Sequence, residues 1–242
     1  CIKAGDLNND GFVDFVVGNT GKNSFFRPTR EHPVQIVAKD FDHNGSMDPV
    51  VTYYNAVEKE RFIVPNRLVL IDQIPGIKKR FETFTEYATR PFQNVFTEEE
   101  LEGSFTASAY KLESVVMIND GGKGFTLMNL PDIAQISVIN DILIQDVNHD
   151  RSPDIIAIGN MYAQETLYGR YNASVGAILL GDGSLKWNAL APDQTGFVVD
   201  GDARYIERLS KKDGSVYVIT NYNDSIQFFT TRGWPMPVVG GL

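Results

Sequence analysis

The chain has little cysteine, little histidine and no long apolar run, and each shortage closes off a class of function. A single cysteine in 242 residues, Cys1, permits no internal disulfide. Its place at the first position is that of a lipid-bearing residue in a mature bacterial lipoprotein, or of a chain that has been cut there. The cut fits better, because a structural motif begins five residues later and leaves no tether. No stretch approaches the roughly eighteen apolar residues that cross a bilayer, so no membrane span is expected. No basic and apolar leader opens the sequence. The three histidines, His32, His43 and His149, stand beside no recognisable nucleophile, and no glycine-rich phosphate loop is present. A formal net charge of -9, with no basic–aromatic stripe, argues against nucleic acid and anionic membranes as partners.

The acidic excess is concentrated. Nine aspartates, equal to the whole negative excess, fall in three stretches built on the form D-x-[DN]-x-[DN]-G-x-x-D. The first is Asp6, Asn8, Asp10, Gly11, Asp14; the second is Asp40, Asp42, Asn44, Gly45, Asp48. The third is Asp146, Asn148, Asp150, Asp154, with Arg151 where the others have glycine. Calcium takes six to eight hard oxygen ligands, and a tight loop delivers them from alternate positions. Positions 1, 3, 5 and 9 supply side chains, and position 7 supplies a carbonyl, here Phe12, Ser46 and Ser152. Glycine at position 6 permits the positive φ that wraps the loop. Arg151 departs from that rule, so the third loop is expected to be strained or to bind more weakly.

An EF-hand would need glutamate at position 12, where this chain has Val17, Val51 and Ala157. Short β-branched runs follow each loop and close on Asn19, Asn55 and Asn160. The expected unit is therefore strand, calcium loop, strand. A fourth, eroded copy runs from Leu209 to Asn221, with Lys211 at a ligand position and Tyr217 in place of the last aspartate; it is expected to fold without metal. Further strands are expected at Leu68–Ile71, Ser114–Ile118, Gly124–Met128, Ala177–Leu180 and Ser225–Phe229, with hairpin turns at residues 119–122 and 181–183.

The fold class expected is all-β, with propeller-like blades and a small helical insertion. Blades with two loops occupy residues 1–57, and an insertion with two short helices occupies 58–112. Blades with one intact and one degenerate loop follow over 113–230, and a Pro- and Gly-rich tail over 231–242. Within the insertion, Ile77, Phe81, Phe84 and Ala88 mark one buried helical stripe. Thr97 and Glu100 form a capping box for a second helix.

The loops resemble FG-GAP/VCBS repeats, the calcium-loop blades also found in integrin α-subunit propellers. The segments at 73–88, 117–135, 155–160, 169–183 and 196–204 are similar to the C-terminal part of VCBS-repeat proteins of the ASPIC/UnbV type, exported to the cell surface in Bacteroidetes. The likeness extends over about residues 1–230. It implies a β-propeller, structural Ca2+ at up to three loops and a role in surface binding or adhesion, with the remaining blades in a longer chain or complex. The expected function is a non-catalytic, extracellular or cell-surface module that binds a glycan or a protein partner. The alternative is a polysaccharide-active enzyme, a lyase or glycoside hydrolase, on the same scaffold.

Overall fold

A computed structural model describes residues 1–164, 169–212 and 214–230. The expected tail and Asp213 of the fourth copy lie outside the described residues. The strands open with β1 (Ile2–Gly5), β2 (Asp14–Val17), β3 (Val34–Lys39), β4 (Asp48–Asn55), β5 (Glu60–Ile63) and β6 (Phe105–Ala109). They continue with β7 (Val115–Asn119), β8 (Phe125–Asn129), β9 (Ile139–Gln145), β10 (Asp154–Gly159) and β11 (Ala177–Gly181). The last four are β12 (Trp187–Leu190), β13 (Ala203–Lys211), β14 (Gly214–Asn221) and β15 (Gln227–Thr230). All pairings between them are antiparallel, in four sheets, so the fold is all-β with few helices. No closed propeller is formed by the described residues.

The chain divides into two compact units, residues 1–25 with 112–242, and residues 26–111. The first unit holds the sheets β1-β2-β7-β8, β12-β11-β10-β9 and β13-β14-β15. The middle of these explains how the unit is built. All six residues of β10 are buried, because its alternating side chains serve two cores. Ile155 and Ala157 join Val16, Val116 and Ile118 of the first sheet, while Ile156 and Ile158 join Ile206, Tyr217 and Ile219 of the third. The unbroken apolar run at 155–158 thus reflects burial on both faces. Truncation of Ile155 or Ile156 to alanine falls in the class that costs about 2–5 kcal/mol.

The second unit has the sheet β5-β4-β3-β6, with the helical stretch between β5 and β6. Residues 57 and 58 lie in the β4–β5 hairpin, so the second loop shares a unit with the helices. Pairing of Asn55 with Glu60 carries the sheet across the boundary expected there. Four short helices form, α1 (Arg67–Gln73), α2 (Ile77–Arg80), α3 (Phe84–Ala88) and α4 (Glu98–Leu101). Leu68–Ile71, expected as strand, lies in α1: the Asn66 side chain accepts from the N–H groups of Leu68 and Val69 and starts a helix. The single stripe expected from Ile77 to Ala88 is broken at Phe81–Thr83. Ile77 and Phe81 are buried, Phe84 is exposed, and Tyr87 fills the core in its stead. The helices cover Val50 of β4, and Phe96 stacks on Phe41 at 4.5 Å. Lys39 Nζ reaches the carbonyls of Glu100 and Glu102, both at 2.8 Å, satisfying the end of α4.

The capping box is present: Thr97 and Glu100 exchange hydrogen bonds across the first turn of α4. Glu100 also pairs with Arg80, and that hydrogen-bonded guanidinium pulls its carboxyl down to about 2. A carboxyl lowered by folding stabilises above its unfolded value and loses that contribution as the pH falls toward about 2. The pair is partly exposed, so Glu100→Gln should cost no more than about 1 kcal/mol at neutral pH. Acid titration of the unfolding midpoint should show the difference between wild type and variant vanish below about pH 2–3.

Candidate metal centres

Each of the three loops joins two neighbouring strands of one hairpin. Gly5 pairs with Asp14, Lys39 with Asp48, and Gln145 with Asp154, so positions 1 to 9 close a turn at the end of a ladder. Inside the turn the aspartate at position 1 folds the backbone round itself. Asp6 accepts from the N–H groups of Asp10 (3.1 Å) and Gly11 (2.9 Å). Asp40 accepts from Asn44 (2.9 Å) and Gly45 (2.8 Å), and Asp146 from Asp150 (3.1 Å) and Arg151 (2.9 Å). The side chain at position 3, Asn8, Asp42 or Asn148, accepts from the N–H at position 5. The side chain at position 5, Asp10, Asn44 or Asp150, accepts from Phe12, Ser46 or Ser152. The same bonds recur in all three loops.

Two positions in each loop adopt positive φ. Position 6 does so at Gly11 (89°), Gly45 (88°) and Arg151 (74°). Arg151 therefore bears the strain expected of it, of order 1 kcal/mol for a residue with a Cβ. Position 4 does so at Asn9 (58°), His43 (59°) and His149 (63°), a requirement that sequence reasoning missed. The signal was there, since asparagine and histidine are among the non-glycine residues most tolerant of this region.

The aspartate at position 9 is the other feature that sequence reasoning undervalued. Asp14 and Asp154 are wholly buried. One oxygen of each accepts from the N–H at position 2, Leu7 (2.8 Å) or Val147 (2.7 Å). The other accepts from the end of a third strand, Asn119 or Gly181, both at 2.8 Å. These carboxylates clamp loop and sheet together. Burial pushes the Asp154 carboxyl up against those two N–H groups, and the charges of Asp150 and Asp146 push the same way. Burial also opposes ionisation of Asp150, yet hydrogen bonds from the Ser152 backbone, the Asn148 amide and the Ser152 hydroxyl hold its carboxyl below the ordinary value.

The second loop differs. Phe41 N–H reaches Asp48 at 2.9 Å, but β5 ends at Ile63, opposite Thr52, and brings no N–H to the other oxygen. Asp40, Asp42 and Asp48 each present a carboxylate oxygen, and these lie within 4.8 Å of one another. This is the one such acidic triad among the described residues. In the other two loops the third position is asparagine, and its amide donates to the fifth-position carboxylate, Asn8 to Asp10 and Asn148 to Asp150, both at 2.8 Å. The Gly45 N–H, against some burial and with help from Asn44, keeps the Asp40 carboxyl below its usual value. Three converging hard oxygens on a tight turn could hold a metal ion.

The fourth copy forms no such loop. β13 and β14 pair up to Lys211 and Gly214, and Tyr217 sits in the core with its hydroxyl accepting from Gln145 Nε2 at 2.6 Å. His32 stacks on Tyr54 with ring centres 3.6 Å apart. An apolar cavity of about 120 Å³ in the first unit is bordered by Val147, Ile178, Phe197, Tyr217 and Phe229. Among the described residues no helix is long and apolar enough to cross a membrane. No protein-family model matches the chain, and no curated protein matches it.

Three substitutions test this account without any ion. Arg151→Gly should raise stability by about 1 kcal/mol, because glycine adopts φ 74° freely. Asp14→Ala strands two N–H groups and should cost about 3 kcal/mol in chelator, whereas Asp42→Ala, on the exposed rim, should cost under about 1. Denaturant midpoints measure all three.

Proposed function

We propose that this protein is a calcium-stabilised, non-catalytic binding module of the FG-GAP/VCBS type, built from propeller-like blades. The observation that carries this reading is the acidic triad Asp40, Asp42 and Asp48, set in a loop whose hydrogen bonding recurs at Asp6–Asp14 and Asp146–Asp154. At the first loop the ligands would be Asp6, Asn8, Asp10 and the Phe12 carbonyl, with Asp14 behind them. At the second they would be Asp40, Asp42, Asn44, the Ser46 carbonyl and Asp48. At the third they would be Asp146, Asn148, Asp150 and the Ser152 carbonyl, with Asp154 behind them. Calcium would supply the positive charge that these crowded carboxylates lack, and so rigidify each turn. Loops of extracellular modules fill at about millimolar calcium, which favours a working site outside the cell or on its surface. The partner class is a glycan or another protein, met by surfaces that the loops hold in place.

Thermal unfolding in chelator and in millimolar calcium tests the metal. A site filled at about a thousand times its dissociation constant adds about 4 kcal/mol, so the midpoint should rise by many degrees. Asp42→Ala should remove part of that rise, and an identical midpoint in both buffers would sink the calcium reading. Incubation with complex glycans tests the rest: retention without cleavage fits a binding module, and release of oligosaccharides would favour the polysaccharide-active alternative.

A further inference from the structure

The second loop holds the one Asn-Gly step in the sequence, Asn44–Gly45. An asparagine followed by glycine can close on its own backbone, when the nitrogen of the next peptide attacks the side-chain amide carbon. Glycine brings no Cβ to obstruct that approach. In a folded protein the reaction needs a base for the proton on the nitrogen, a donor for the oxygen that gains negative charge, and room for the backbone to turn. The loop supplies all three. The Gly45 N–H donates to Asp40 Oδ2 at 2.8 Å, so the proton that the nucleophile must lose already lies against a base. The Asn44 side chain curls forward along the chain, and its Oδ1 accepts from the Ser46 N–H at 2.7 Å. That donor faces the oxygen that becomes negative on attack. Asn44, Gly45 and Ser46 are exposed, and a Cβ built on Gly45 would meet nothing within 4 Å.

The first and third loops make the same bonds about their fifth position, but Asp10 and Asp150 stand there. An ionised carboxylate repels an attacking anion and has no ammonia to release. We propose that the second loop converts its own Asn44. The Gly45 nitrogen gives its proton to Asp40 and bonds to Asn44 Cγ; the Cγ–Nδ2 bond breaks, and the amide nitrogen takes up the proton and leaves as ammonia. Water then opens the five-membered imide at one of its two carbonyls, leaving aspartate or its β-linked isomer. One amide and one water become one carboxylate and one ammonium ion, with nothing oxidised or reduced. In the aspartate form, position 5 of this loop matches the other two, and a fourth carboxylate joins Asp40, Asp42 and Asp48. The chemistry needs no ion, so it stands or falls apart from the calcium reading.

The test is to hold the intact protein at neutral pH in chelator, digest samples in acid and follow each asparagine by mass spectrometry. Asn44 should gain the mass of amide-to-acid conversion ahead of every other asparagine, with ammonium released in step. Asp40→Asn should slow that conversion by at least about tenfold, since a positioned base contributes about 10²–10⁴-fold. Unfolding the wild type in urea should slow it as well. The direction separates the proposal from simple looseness, because an Asn-Gly step that reacts through flexibility alone speeds up when its loop contacts are removed. Should Asp40→Asn fail to fold, the urea comparison decides. Three results would overturn the proposal: an Asn44 that stays an amide, another asparagine that converts first, or a rate in Asp40→Asn or in urea that equals or exceeds that of the folded wild type.

Discussion

A buried carboxylate must find its hydrogen bonds in the protein, and at Asp14 and Asp154 that necessity organises the first unit. Each takes one N–H from its own loop and one from a third strand. The register of three strands is thereby tied to the shape of one nine-residue turn. Slip the hairpin by a residue and the carboxylate turns to the opposite face, leaving two N–H groups unmet. The turn in turn depends on Asp6 or Asp146, which gathers two further backbone groups from inside. These backbone hydrogen bonds therefore fix much of the loop's shape.

Much of this was legible in the sequence. The three loops were visible because aspartate, asparagine and glycine recur at fixed spacing, and the strands after them because β-branched residues run unbroken. Strands β7, β8, β11 and β15 fall within a residue or two of the turn-bounded segments that announced them. What could not be read was the allocation of work within the motif. Position 9 looks like one more ligand, because aspartate is the same letter whether its partner is an ion or a backbone N–H. The strand end supplied by Asn119 or Gly181, remote in sequence, gives that carboxylate a second task in the sheet. The second loop is marked in the sequence by Asp42, where the other two carry asparagine, but that β5 stops short of Asp48 is not legible there.

The second unit shows where local pattern misleads. Residues 68–71 are β-branched or leucine and read as strand, but Asn66 caps their N–H groups and the helix prevails. The spacing from Ile77 to Ala88 reads as one helix, yet Phe81 leaves helical geometry, its carbonyl accepting from the buried Arg67 side chain at 2.8 Å. These short helices hold together through side chain to backbone bonds and aromatic contacts more than through their own ladders. Isolated segments of this length would not be helical in water.

Strand β10 carries a further consequence. Its six residues wall two cores at once, with Ile155 and Ala157 on one side and Ile156 and Ile158 on the other. Neither core can come apart while the other stays whole, because releasing one face of the strand withdraws the support of its opposite face. Local openings are confined to the outer strands, and amide protons along β10 exchange only when the entire unit opens. Three sheets assembled in this way melt as one body, so a perturbation at either end is felt as a change in the stability of the whole.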